Sequence, residues 1–153
     1  MNFYSTALLF LGIFCFLLVG CGDGGRLPGL VPVAGTVTMN GNPVEGADVM
    51  FVPKEPTPNR RVAAAQTDAQ GRFTLTTLNP QDGAAPGEYS VTIVKWELDG
   101  PERAPRYDRD GEIIPEFRTS SNVLPSRYES PDKTPLVITV PPRGDRNLVF
   151  NLD

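Results

Sequence analysis

From residue 33 onward, apolar side chains recur at every second position. Val33, Gly35, Val37 and Met39 alternate with Ala34, Thr36 and Thr38, the period of a strand that buries one face. Asn40-Gly41 follows, a pair that tolerates positive φ and marks a tight hairpin turn. Ala47, Val49 and Phe51 then alternate with Asp48, Met50 and Val52. Residues 62–67 read as a weaker, alanine-rich strand. Asp68-Ala69-Gln70-Gly71 is a turn, and Phe73, Leu75 and Thr77 alternate after it. Tyr89, Val91 and Ile93 form the fifth alternating run, Leu136, Ile138 and Val140 the sixth, and Leu148, Phe150 and Leu152 the seventh. No stretch after residue 30 has a helical period. The pattern predicts an all-β fold, a seven-stranded antiparallel sandwich of two sheets that share one apolar core.

The alternation fails once at length. Residues 97–123 form a connection of 27 residues, where connections beyond about 12–15 residues are uncommon in compact domains. Tyr107, Ile113, Ile114 and Phe117 lie within it. Their apolar character predicts that part of this loop packs on the sandwich, as a short hairpin around Asp110-Gly111. A recognition loop and a plain surface insertion are both open on this pattern.

The chain opens differently. Residues 1–20 contain no Asp, Glu, Lys or Arg, and 7–19 is an apolar run about as long as the core of a secretory signal peptide. It is short for a roughly 20-residue membrane span. Leu18-Val19-Gly20-Cys21 resembles a bacterial lipobox. The resemblance implies a signal peptide over 1–20, a diacylglyceryl group on the sulfur of Cys21, and cleavage before it. The thiolate suits that role as a nucleophile. Stable anchoring takes two or more acyl chains, at about 0.8 kcal/mol per buried CH₂. Residues 1–6 carry no basic side chain, which leaves open an uncleaved anchor over 3–19. Residues 21–30 are glycine-rich and are expected to form a flexible tether. The folded domain is expected over 31–153. Cys15 would leave with the signal peptide, so the mature domain needs no disulfide.

Composition narrows the chemistry. A chain of 153 residues suits one domain plus a targeting segment. Histidine is absent, so Ser-His-Asp and Cys-His nucleophilic machinery and histidine metal ligands are excluded. The net charge of −4 gives no support to nucleic-acid binding, which needs a basic excess. No catalytic residue, metal site or cofactor is expected, and the chain does not read as an enzyme.

Three segments occur in a telling order: G-T-V-T-M-N-G-N-P-V-E-G-A-D-V-M-F-V-P (35–53), T-D-A-Q-G-R-F-T-L (67–75) and P-G-E-Y-S-V-T-I-V (86–94). Together they resemble the carboxypeptidase regulatory-like domain, which also occurs in small bacterial lipoproteins. The endings at 124–140 and 147–152 fit the same lipoprotein group. The resemblance implies a transthyretin-like, immunoglobulin-like sandwich that serves as an accessory module and not as a catalyst. The expected setting is the bacterial cell envelope, facing the periplasm or exterior. The expected partners are the membrane, through the lipid anchor, and a protein or glycan of the envelope.

Other candidate sites have plainer readings beside them. Asp68 to Gly71 suits a cation or a hairpin turn, and the turn explains the same letters. Asp108-Arg109-Asp110-Gly111-Glu112 has calcium-loop letters, but Gly is misplaced for that loop and Arg109 opposes a cation. Trp96, Tyr107, Phe117 and Tyr128 read as a stacking platform or as packing residues. Arg60-Arg61 is too small a cluster for a nucleic-acid or lipid patch. The alternative function is a carboxylate-based hydrolase of envelope or extracellular glycans. It would draw on Glu97, Asp99, Glu102, Asp110 and Glu112, with two carboxyls about 5–10 Å apart beside a groove.

Overall fold

The computed structural model describes residues 29–100, 104–115 and 117–153. The expected signal peptide, Cys21, most of the expected tether and Glu102 lie outside the described residues. Twelve strands are present among the described residues: β1 (Val33–Met39), β2 (Asn42–Pro43), β3 (Asp48–Pro53), β4 (Ala63–Gln66), β5 (Arg72–Thr74), β6 (Gly87–Val94), β7 (Trp96–Leu98), β8 (Arg106–Tyr107), β9 (Ile113–Ile114), β10 (Ser120–Asn122), β11 (Val137–Val140) and β12 (Asp145–Leu152). One 3-10 turn, Ser126–Tyr128, is the helical element among the described residues. All seven predicted strands are found, as β1, β3, β4, β5, β6, β11 and β12. The other five are short additions.

Two sheets face each other. In one, β1 is central, with β12 on one side and β2 and β5 on the other. In the second, the order is β11-β6-β3-β4, antiparallel throughout. Alternation directs Val33 and Val37 of β1, Val49 and Phe51 of β3, and Tyr89, Val91 and Ile93 of β6 into one buried cluster. Its centre is aromatic. The Phe51 ring lies 6.2 Å from Phe73, 5.9 Å from Tyr89 and 6.1 Å from Phe150. Those partners come from both sheets, so Phe51 joins the two layers. Gly35 sits between Val33 and Val37 on the inward face. A Cβ there would stand 2.5 Å from the Leu148 carbonyl and 2.9 Å from the Phe73 ring, so its absence lets β12 and Phe73 close on β1.

The sandwich differs from the predicted all-antiparallel arrangement at one pair. β1 and β12 run parallel, with Thr36 opposite Val149 and Met39 opposite Leu152. Strand alternation reports which face is buried and carries no strand direction. The direction here follows from the crossing between sheets. β11 ends in the second sheet at Val140, a turn through Gly144 follows, and β12 enters the first sheet beside Pro32, whose carbonyl accepts from Asp145 N–H at 3.0 Å.

The termini of the strands define two poles. At one, the incoming chain bridges Val31 to Ala84, and Gly87 at the start of β6 pairs with Val140. Tyr89 locks this end, its hydroxyl donating to the Ala85 carbonyl at 2.7 Å, the tyrosine-corner device of β-sandwiches. Burial raises the pKa of that phenol, partly offset by Arg60 and by the hydrogen bond. At the opposite pole, β6 finishes with Val94 beside Asp48.

Candidate functional site: an exposed ribbon arm

Beyond Val94 the chain leaves the sandwich. Lys95 N–H donates to Asn122 Oδ1 at 3.0 Å, and the Lys95 carbonyl accepts from Val123 N–H at 2.9 Å. β7 and β10 then pair antiparallel, with Trp96 opposite Asn122 and Leu98 opposite Ser120. Period two puts Trp96 and Leu98 on one face of this ribbon and Glu97 and Asp99 on the other. Both faces carry their own chemistry. Glu97 pairs with Lys95 at 2.9 Å. Asp99 accepts from the hydroxyls of Thr119 at 2.6 Å and Ser121 at 2.7 Å, and these bonds hold its carboxyl below the usual range. The Arg118 guanidinium donates to the carbonyls of Asp99 and Gly100.

Between β7 and β10 in the chain, β8 and β9 form a second hairpin, with Tyr107 opposite Ile113 and Arg106 opposite Ile114. Its turn is chemically a copy of the one at Asp68. Asp68 Oδ1 accepts from the N–H groups of Gln70 and Arg72, and Gly71 N–H returns to the Asp68 carbonyl. Asp108 Oδ1 accepts in the same way from Asp110 and Glu112, and Gly111 N–H returns to the Asp108 carbonyl. Gly71 and Gly111 take φ of +71° and +81°, which glycine adopts without steric cost. D-x-x-G-x is therefore a turn at both places, with the acid facing donors as an Asx cap.

The hairpin around Asp110-Gly111 is present as predicted. Its predicted packing on the sandwich is not. Tyr107, Ile113 and Ile114 are exposed, as are Trp96 and Leu98, and Phe117 is 96% exposed. The reason is topological. β7 begins past the last pairing of β6 with β3 and pairs with β10 in a separate two-stranded sheet, so the ribbon is not an extension of the second sheet. The proposed aromatic set is split accordingly. Trp96, Tyr107 and Phe117 sit on the arm, whereas Tyr128 is buried and donates to Asp153 Oδ1 at 2.7 Å. Leu98, which completes the apolar face, has no distinguishing mark in the sequence beyond its place two residues after Trp96.

The acids of the hydrolase alternative lie along this arm, with Glu97 and Asp99 engaged as described and Asp110 and Glu112 at the hairpin turn. A shallow depression of about 650 Å³ lies elsewhere, on the outer face of the first sheet, lined by Thr36, Arg72, Thr74, Arg146 and Asn147. The carboxylate in its lining is Asp68, held by Arg72 at 3.0 Å. Among the described residues, no three His, Cys, Asp or Glu side chains gather where they could hold a metal ion. Arg60 and Arg61 are backbone clamps, donating to the carbonyls of Pro86, Glu55 and Pro58.

One acid invisible as a site in the sequence is Asp82. It is buried, and its two oxygens accept from the N–H groups of Thr77, Leu78 and Asn79 at 2.7, 3.1 and 2.8 Å. Burial works to raise its pKa, and the three N–H bonds outweigh burial and hold it low. The arrangement shapes the 77–83 loop.

These features define an all-β sandwich that carries a projecting two-stranded arm. The chain matches no protein-family model and no curated protein. Among solved structures it is similar to a 9R-lipoxygenase from Cyanothece PCC8801, at 12% identity and a TM-score of 0.41. That similarity covers 84% of this chain and 17% of the lipoxygenase.

Proposed function

We propose that this protein is a membrane-tethered, non-catalytic module of the bacterial cell envelope that binds or organises another envelope component. The observation that carries the reading is the arm. Trp96, Leu98, Tyr107, Ile113 and Ile114 are exposed on paired strands, and Phe117 is exposed between those strands in the chain. Large apolar side chains left exposed in such number within one segment mark interaction sites. The tether rests on the lipobox-like stretch ending at Cys21 and on the glycine-rich residues after it. The resemblance to carboxypeptidase regulatory-like domains supports an accessory role. Two acids of the catalytic alternative, Glu97 and Asp99, are tied to neighbours on an open ribbon, which favours the binding reading.

The test joins fractionation with purification. The full-length protein should fractionate with membranes and co-purify with a specific envelope component after mild crosslinking. Cys21→Ser should shift it out of the membrane fraction. A wild-type protein recovered wholly outside the membrane fraction would contradict the tether. Purification of the membrane form without any companion would contradict the binding role.

A further inference from the structure

An edge strand leaves the N–H and C=O of every second residue without a ladder partner, so an edge is where a sandwich can add chain. Most edges of the two sheets are closed or blunted. Ala64 of β4 exchanges both backbone bonds with Thr76, each at 2.9 Å. β11 is four residues long and lies between Pro135 and Pro141-Pro142. On the side of β1 away from β12, β2 and β5 are two and three residues long, and β2 includes Pro43. β12 has no such guard. It is eight residues long and pairs with β1 alone, and its stretch Asn147-Leu148-Val149-Phe150-Asn151 holds no charge and no proline. Asn40 N–H donates to the Leu152 carbonyl at 3.2 Å, so Leu152 turns its backbone groups toward β1. At every second residue Phe150 and Leu148 do the same in a parallel ladder. Val149 and Asn151, with the Asn147 carbonyl, therefore turn theirs outward. Among the described residues, these outward groups have no hydrogen-bond partner. Asn147 N–H is taken by Asp145 Oδ1 at 2.9 Å.

The sequence of the edge points to its occupant. Read outward from Val149, N-L-V-F-N has the same polar-apolar pattern in both directions. Two β12 strands set antiparallel about Val149 would match at each position. Val149 would exchange N–H and C=O with the second copy's Val149, and Asn151 N–H would donate to the second copy's Asn147 carbonyl. On the outer face, the Asn147 and Asn151 amides would stand opposite each other, and on the inner face Leu148 would stand opposite Phe150. No like charges would meet within that stretch. We propose that two copies of this chain pair through β12, antiparallel about a twofold axis at Val149, and so join their first sheets into one. Such a contact is isologous and closes at two copies. It goes beyond the tethered binding module proposed above and does not rest on it.

Sedimentation of the full-length protein in mild detergent tests it, together with photocrosslinking. The wild type should show a dimer whose fraction rises with protein concentration. Benzoylphenylalanine in place of Val149, which is 61% exposed, should give an adduct of two copies. The same group at Met50, exposed on β3 of the second sheet, should give none. Val149→Pro removes an N–H that faces outward and leaves the bonds to β1, a position where an edge strand tolerates proline. Asn147→Lys with Asn151→Lys sets like charges opposite each other across the axis, whereas Asn147→Lys with Asn151→Asp sets opposite charges there. The proline variant and the Lys/Lys pair should each lower the dimer fraction at fixed concentration at least roughly five-fold, and the Lys/Asp pair should keep it within about two-fold of wild type. Thermal melts identify any variant that fails to fold, and the contrast between the two charge pairs decides the matter without the proline. A wild type that stays monomeric at every concentration would overturn the proposal. So would a dimer indifferent to these variants, a Lys/Asp pair as weak as Lys/Lys, or a Val149 adduct formed only with lipid or with a different protein.

Discussion

At the residue scale, the fold depends on a few side chains whose burial and partners are specific. Phe51 touches Phe73, Tyr89 and Phe150 across the two sheets. Phe51→Ala should therefore cost about 3–5 kcal/mol, a transfer loss plus a cavity; a denaturant titration with an unchanged midpoint would contradict this placement. Asp82 is the informative charge. Its folded pKa is depressed, so its contribution is complete above the unfolded value of about 3.9 and is lost as pH falls through the lower folded value. Asp82→Asn should reduce stability by about 1–3 kcal/mol near neutral pH, the range for weakening hydrogen bonds to a charged group. The gap between variant and wild-type melting temperatures should narrow steadily as the pH is taken below 4. A gap independent of pH would show that the carboxylate charge is not what the loop uses. Sequence marks Phe51 plainly, because it falls in phase with Val49. It does not mark Asp82, because an N-P-Q-D-G stretch reads the same whether its acid caps three amides or faces water.

At the scale of elements, alternation reveals a strand that rests on a core, and each of the seven predicted strands does so. It is silent on the arm, whose strands are two or three residues long and have no buried face to reveal. Apolar residues in the 97–123 connection invite the expectation of packing, and only the pairing of β7 with β10 shows why they stay outside. The hairpin was legible through D-R-D-G-E, since the same D-x-x-G-x chemistry closes the turn at Asp68. Because the buried cluster draws no residue from 96–122, the arm should be separable from the fold. Replacing 99–121 with a short Gly/Ser linker should leave one cooperative transition and move Tm by less than about 4 °C, equivalent to roughly 1 kcal/mol for a domain of this size. Loss of cooperative melting would show that the arm belongs to the folding unit. Trp96, the single tryptophan, stands half exposed at the arm base, so its emission reports on that region independently of the core.

At the scale of the whole molecule, the first and last long strands of the sandwich, β1 and β12, pair side by side. Chain ends must meet before the first sheet is complete, a high-contact-order arrangement expected to fold in milliseconds to seconds rather than microseconds. Ending the chain at residue 144 removes β12 with Phe150 and Leu152 and should abolish cooperative folding; a truncated chain that melts as the full one does would contradict the pairing. The direction of that pair was beyond the reach of alternation, whereas the two-sheet architecture was within it. The same contrast holds for the function. The expected anchor is written in the letters around Cys21, and the exposed arm emerges only from topology. Intact-mass analysis of the protein extracted from membranes tests the tethered account most directly. It should give the mass of residues 21–153 bearing a diacylglyceryl group and an acylated amino group on Cys21. A mass matching the whole chain from Met1, or an unmodified Cys21, would contradict it.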